Sequence, residues 1–185
     1  MKHLILKERL DYDGSQLQSL FTYRNYGLMG ESILVFRGKC SVQQREMVDL
    51  EDVRAQEWIW SEDMLHFIVE HFELDLEKTI IRQRLLIAII KEELEDLEVK
   101  SLKRSGDDLF EDKRKLSVSI STLSPVSTLI HCGLNISSAN TPVPAVSLWD
   151  LGLRDILAFG EKVALHYCSE MESICLARCK VRGVI

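Results

Sequence analysis

The sequence predicts an α+β fold: a mixed, mainly antiparallel sheet packed with helices. Three observations predict it. Residues 76–97 and the stretch after Asp150 carry apolar side chains at helical spacing. Between them, three segments alternate with period two, at residues 99–103, 116–122 and 128–136. These strands follow one another through short turns, which joins them antiparallel, because a parallel pair needs a crossover of about a dozen residues or more. A parallel dinucleotide-binding sheet is disfavoured, and neither GxGxxG nor a Walker A sequence occurs.

Taken in order, Asp13 with Gly14 and Ser15 caps a first helix in which Leu17, Leu20 and Phe21 share a face, and Gly27 ends it. Residues 32–42, SILVFRGKCSV, predict a strand, a bend at Gly38 and a second short strand. Residues 53–60 predict a further strand. Ser61, with Glu62 and Asp63 in a first turn, then opens a helix through Phe72. Residues 76–97 form the central helix, apolar all round at LLIAII and solvated at KEELED. SSANTPVPAVS is a loop, fixed by Pro142 and Pro144. The last helix carries Ile156, Leu157, Val163, Ala164, Tyr167, Met171 and Ile174 on one face.

At 185 residues the chain reads as one domain, 1–185, with a sizeable core. Apolar residues at 46% and charged residues at 28% are a globular composition. A formal charge of -6 leaves no basic surface for nucleic acid or for an anionic membrane. The longest apolar run, residues 85–90, is too short to span a bilayer, and residues 4–6 are too few for a signal peptide. A cytoplasmic location is expected, and the five cysteines, with no CxxC pair, read as reduced thiols. Edge strands at residues 32–42 or 53–60 would need cover, so a homodimer is expected.

The densest chemistry lies in GDDLFEDKRKLSVSI, residues 106–120, followed by LIHCGLNIS. In a hairpin Asp108 and Lys115 come together, so that a carboxylate orients a ligand or Mg²⁺ while the ammonium meets an anion. Asn135, after Gly133 on a neighbouring strand, is placed to offer an amide to the same ligand. A hairpin turn rich in Asp, Lys and Arg is equally expected of a solvated surface.

These segments resemble the catalytic half of the biotin and lipoate protein ligase family, which shows PNDLxxxxRKLxG and then GxGINV. Asp107 and Asp108 stand at that family's Asn-Asp, Lys115 at its lysine, and Asn135 at its second asparagine, with no gap in the first motif. The match covers about residues 99–138. The whole chain is also similar to an uncharacterised prokaryotic family of unknown function, DUF366, in which GDD, RQRLL and GLNISSANTPVP recur. The ligase resemblance implies a fold like that of class II aminoacyl-tRNA synthetases. It implies a small carboxylic acid or its acyl-adenylate as ligand, ATP with Mg²⁺ as cofactor, and Lys115 as the catalytic centre. Asp107, Asp108, Arg104, Gly133, Asn135 and His131 would line the ligand site. A lysine so placed stabilises charge on phosphate or carboxylate oxygen during adenylation, or on the carbonyl oxygen during acyl transfer.

The sequence also departs from the family. The loop GRGRxGR has no counterpart near residues 36–44, where Arg37, Gly38 and Lys39 remain, so the use of ATP stays open. The glycine of RKLxG is replaced at Ser117 and Val118, which narrows the pocket, and residues 141–154 hold no cysteine for a thioester. A non-catalytic binding or assembly module on the same scaffold is the alternative.

Other constellations read as structural. His66 and His71 in HFIVEH are five apart, too far round a helix to share a metal. His66 and Glu70 would pair on one helical face. Cys168, Cys175 and Cys179 share a stripe with Ala164, Met171 and Ile174 and are expected in the core. His131 reads as a buried, satisfied histidine, Cys40 as the most exposed thiol, and Trp58 and Trp60 as core.

Overall fold

Five strands build the main sheet: β1 (Lys2–Ile5), β2 (Ser32–Val42), β3 (Ile59–His71), β7 (Ser117–Leu123) and β8 (Thr128–Asn135), in the order β1-β2-β3-β8-β7. The computed structural model describes residues 1–56 and 58–184. β1 runs parallel to β2 and the other pairings are antiparallel, so the sheet is mixed and mainly antiparallel, as the short turns predict. A second sheet of three strands, β4 (Leu102–Ser105), β5 (Asp108–Glu111) and β6 (Arg114–Lys115), closes one end. Of the four helices, α1 (Phe21–Tyr26) and α2 (Leu50–Ala55) are short, whereas α3 (Leu76–Glu95) and α4 (Ile156–Cys179) cover one face of the main sheet.

Strand alternation divides the residues between two faces. Ile33 and Val35 of β2, Leu65, Phe67 and Val69 of β3, and Ile130, Cys132 and Leu134 of β8 pack under α3 and α4. Leu34, Phe36, Met64 and Ile68 form a smaller cluster on the opposite face with Tyr12 and Cys40. Gly160 lets α4 lie close to the sheet: a Cβ there would sit 2.8 Å from Val35 Cγ1 and 3.2 Å from Leu65 Cδ1.

Several expectations change. SEDMLHFIVEH is the middle of β3 and not a helix. It is buried on both faces between β2 and β8, so it shows no alternation, and its Ser-Glu-Asp start imitates a helix N-terminus. The Asp63 carboxylate caps nothing; it accepts from Arg9 Nη2 at 2.9 Å and from Arg37 Nε at 3.0 Å. The strand expected at 53–60 begins only at Ile59, because residues 50–55 form α2 under an Asp49 cap that accepts from Glu51 N at 2.8 Å. Glu57, within that expected strand, lies outside the described residues. β2 and β3 are both interior strands, so the edge argument for a homodimer does not hold.

The first helix shortens to Phe21–Tyr26 but ends at Gly27, whose φ of 70° suits glycine. β2 is one strand with a bulge between Gly38 and Cys40 instead of two. α4 starts at Ile156 under an Asp155 cap, while Asp150 accepts from Ser147 Oγ at 2.7 Å. Cys40 is fully buried, and burial pushes its thiol up to about 12. Cys175 and Cys179 are exposed, because the end of α4 runs beyond the sheet. Trp58 is 63% exposed and Trp60 is half-buried, so neither is core.

Candidate functional site

A cleft of about 340 Å³ opens on the face of the main sheet that α3 and α4 leave uncovered. The β5–β6 hairpin forms its mouth. Lys115 Nζ lies 2.8 Å from Asp108 Oδ2, with the lysine side chain 32% and the aspartate 21% exposed. This is the pairing the hairpin predicts, and it arises because β5 and β6 place Lys115 opposite Phe110, two residues from Asp108 and on the same face of the strand. The Lys115 backbone is held on both sides: its N–H donates to Pro144 O at 2.9 Å, and its carbonyl accepts from Val146 N at 3.1 Å. Asn135 adds a third tie, with Nδ2 donating to Lys115 O at 3.3 Å. Burial raises the Asp108 carboxyl above the usual aspartate range, and the adjacent Lys115 ammonium works against that shift. Ser117 Oγ donates to Asp108 Oδ1 at 3.2 Å.

Asp107 belongs to a different network. Its Oδ2 accepts from Gln83 Nε2 of α3 at 2.8 Å and from Ser119 Oγ at 3.2 Å, and Gln83 Oε1 accepts from Ser121 Oγ at 2.6 Å. The carboxylate thereby ties the hairpin to α3. Gln83 was not anticipated as part of the site, although RQRLL places one amide in the apolar stripe of the central helix.

Along β8, His131, Gly133 and Asn135 point to the cleft side. Gly133 contributes absence of bulk: a Cβ there would meet Met64 Cε at 2.9 Å and Val118 Cγ2 at 3.4 Å. Met64, Val118 and Ile120 line the middle of the cleft as an apolar stretch. Val118, near the position of the family's glycine, is part of that lining. His131 lies deeper. Its Nε2 is 3.1 Å from His66 Nδ1, and its ring stacks on Tyr12 with centroids 3.8 Å apart. Burial pushes both imidazoles down, His66 to about 3, so both are neutral at pH 7. His66 therefore pairs with His131 across the sheet; Glu70 instead accepts from Leu20 N at 2.8 Å and from Ser127 Oγ at 2.6 Å.

Lys115, Asp107, Asp108, Asn135 and His131 thus meet at one cleft. Arg104 does not: it is exposed on β4 and donates from Nη1 to Gly106 O at 2.5 Å. Among the described residues Lys115 is the only Lys or Arg in the lining, which also holds Glu46, Asp49 and Asp52. No set of three His, Cys, Asp or Glu among the described residues is arranged to hold a metal ion. No helix among the described residues is long and apolar enough to cross a membrane.

An open, mainly antiparallel sheet with helices on one face and a hairpin over the other is a fold like that of the biotin and lipoate protein ligases. Solved structures agree at the level of fold. The biotin protein ligase from Aquifex aeolicus in complex with biotin and ATP superposes with a TM-score of 0.60 at 16% identity, over 92% of this chain and 70% of that one. A putative lipoate protein ligase from T. acidophilum with bound lipoic acid gives 0.56 at 14% identity, over 91% and 84% of the two chains. The chain belongs to the family described as a domain of unknown function (DUF366), whose pattern matches residues 1–182. A protein of unknown function from Pyrococcus horikoshi shares 42% identity and a TM-score of 0.94 over 100% of both chains. An uncharacterised protein of Methanocaldococcus jannaschii is 39% identical, over 94% of this chain and 81% of its own length.

Proposed function

We propose that the cleft binds a small carboxylic acid or its acyl-adenylate, with Lys115 against the anionic end, and that it transfers the acyl group. The observation that carries this reading is the Lys115–Asp108 pair at the mouth of a cleft whose middle is apolar. A carboxylate, or the phosphate of an acyl-adenylate's mixed anhydride, brings one negative charge to the Lys115 ammonium. Asn135 beside Lys115 supplies an amide to the same end. In acyl transfer a neutral acceptor amine attacks the acyl carbon, the carbon–oxygen bond to the phosphate breaks, AMP leaves with the electron pair, and the proton the amine gives up passes to solvent. Lys115 stabilises the charge that develops on the carbonyl oxygen.

The fold family implies ATP with Mg²⁺, and the lining does not fit a bare triphosphate: its one ammonium faces Glu46, Asp49 and Asp52 as well as Asp107 and Asp108. No step is therefore routed through ATP. The missing glycine-rich loop favours a second reading, a module that binds the acid without transferring it. Both readings keep the cytoplasmic location that the sequence suggests.

The test is thermal stability of wild type and Lys115→Met with octanoate, lipoate, biotin and a non-hydrolysable acyl-adenylate analogue. A bound ligand at 100-fold excess over its Kd stabilises the folded state by about 2.7 kcal/mol. A shift in wild type that is lost in Lys115→Met is the expected result. No shift with any of these probes, in a folded protein, rejects the reading.

A further inference from the structure

The lower wall of the cleft has a chemistry that its mouth does not explain. His131 lies four residues from Asn135 along β8, so the two side chains face the same cleft about 13 Å apart along the strand. Met64 and Val118 line the interval, packed over Gly133, whose missing side chain leaves them room. The cleft therefore runs from a charged mouth through an apolar middle to an imidazole.

That imidazole is held in one orientation. Tyr12 stacks on His131 with an interplanar angle of 9°, and Phe36 stacks on His66 at 4.8 Å. His131 Nε2 is engaged by His66 Nδ1 at 3.1 Å, and the two nitrogens share one proton. The other His131 nitrogen, Nδ1, makes no hydrogen bond among the described residues, yet it is not sealed from solvent as His66 Nε2 is. It borders the cleft. A neutral imidazole there offers one hydrogen bond and no charge, so it suits a neutral polar group and leaves an alkyl end facing an unmatched nitrogen.

We infer that His131, fixed by His66 and Tyr12, is the specificity element of the cleft and selects acids whose far end carries a neutral hydrogen-bonding group over plain alkyl acids. The inference rests on the carboxylic-acid reading, with Lys115 at the near end. An amide, urea or hydroxyl at the far end satisfies it, and a carboxamide does so whichever tautomer the histidine pair adopts, since it both donates and accepts.

The test compares octanoate with suberic acid monoamide, which ends in a carboxamide instead of a methyl group, by titration calorimetry. Wild type is expected to bind the monoamide about tenfold tighter, the worth of one neutral hydrogen bond with its partner otherwise unsatisfied. His131→Phe keeps the aromatic stack and removes the nitrogen, and is expected to bring the two Kd values together. His131→Gln retains a neutral polar group and is expected to keep a preference. Lys115→Met weakens both acids by the same factor. Should His131→Phe fail to fold, ¹⁵N spectra of wild type decide: the monoamide moves the His131 Nδ1 resonance and octanoate does not. Equal Kd values in wild type, an unchanged ratio in folded His131→Phe, or an unmoved Nδ1 resonance overturns the inference while leaving Lys115-dependent acid binding intact. If neither acid binds wild type, the carboxylic-acid reading fails and this inference fails with it.

Discussion

The two faces of the main sheet are built from the same strands and do opposite work. On β8, Ile130, Cys132 and Leu134 disappear under α3 and α4, while His131, Gly133 and Asn135, one residue out of phase, face the cleft. β3 repeats the division, with Leu65 and Phe67 beneath the helices and Met64 and His66 on the other side. The helix face is mainly hydrocarbon, interrupted where His71 Nε2 meets Tyr167 Oη at 3.0 Å, and its main contribution is burial. The cleft face interrupts its apolar cluster with a histidine pair, an asparagine and an ion pair, groups that cost free energy to bury and persist where a partner satisfies them. One strand thus packs the core with one set of residues and lines the cleft with the other, and substitutions one position apart should separate the two.

The largest effect that would sharpen this contrast is expected at Phe67, fully buried on the helix face. Phe67→Ala should cost about 3–5 kcal/mol in urea unfolding, through lost transfer energy and a residual cavity. A loss below about 1 kcal/mol would mean that the helix face is not the main source of stability.

A smaller effect tests the cleft face through pH. His66 and His131 have imidazoles pushed down by burial, His66 to about 3. The unfolded chain takes up protons below its ordinary histidine pKa, near 6.5, whereas the folded protein does not until far lower pH. The stability these groups contribute is therefore present above about pH 6.5 and lost as pH falls, by about 1.4 kcal/mol per pH unit for each histidine. His131→Phe should weaken that dependence, so that the variant gains stability relative to wild type at pH 5 compared with pH 7. Unfolding free energies measured at both values check it, and an unchanged pH slope would mean that His131 is solvated and not part of a buried pair.

The legible parts of the fold were those with a clear period. α3, β8 and most of α4 announce themselves by spacing, and β2 by its branched and aromatic run. β3 was illegible because a strand buried on both sides has no alternation, and HFIVEH satisfies a helix as well as a strand. α2 was hidden because VRAQEWIW carries a local strand signal that the Asp49 cap overrides. In the site, Lys115, Asp108 and Asn135 were readable because the hairpin is local and the motif ungapped. Tyr12, His66 and Gln83 were not, since they reach the cleft or its supports only through β2–β3–β8 pairing and helix packing. The fate of Cys40 shows the same limit: a flanking Gly38-Lys39 suggests exposure, and the tertiary fold buries it.

The smallest expected effect concerns Arg104, a residue that sequence reasoning grouped with Lys115. Both cations sit on the small three-stranded sheet, but β6 turns Lys115 toward Asp108 and the cleft, whereas Arg104 is exposed and bonds the carbonyl of Gly106 in its own turn. Removing an exposed side chain with one local bond should change stability by less than about 0.5 kcal/mol. Arg104→Ala should also leave the Kd of any acid that Lys115 binds unchanged, because its charge lies outside the lining and is screened by water. Calorimetric titration of the variant with the acid that shifts wild type makes the comparison direct. If Arg104→Ala weakens binding as strongly as Lys115→Met, the ligand extends over the outside of the β4–β5 turn, and recognition is not confined to the cleft face of the main sheet.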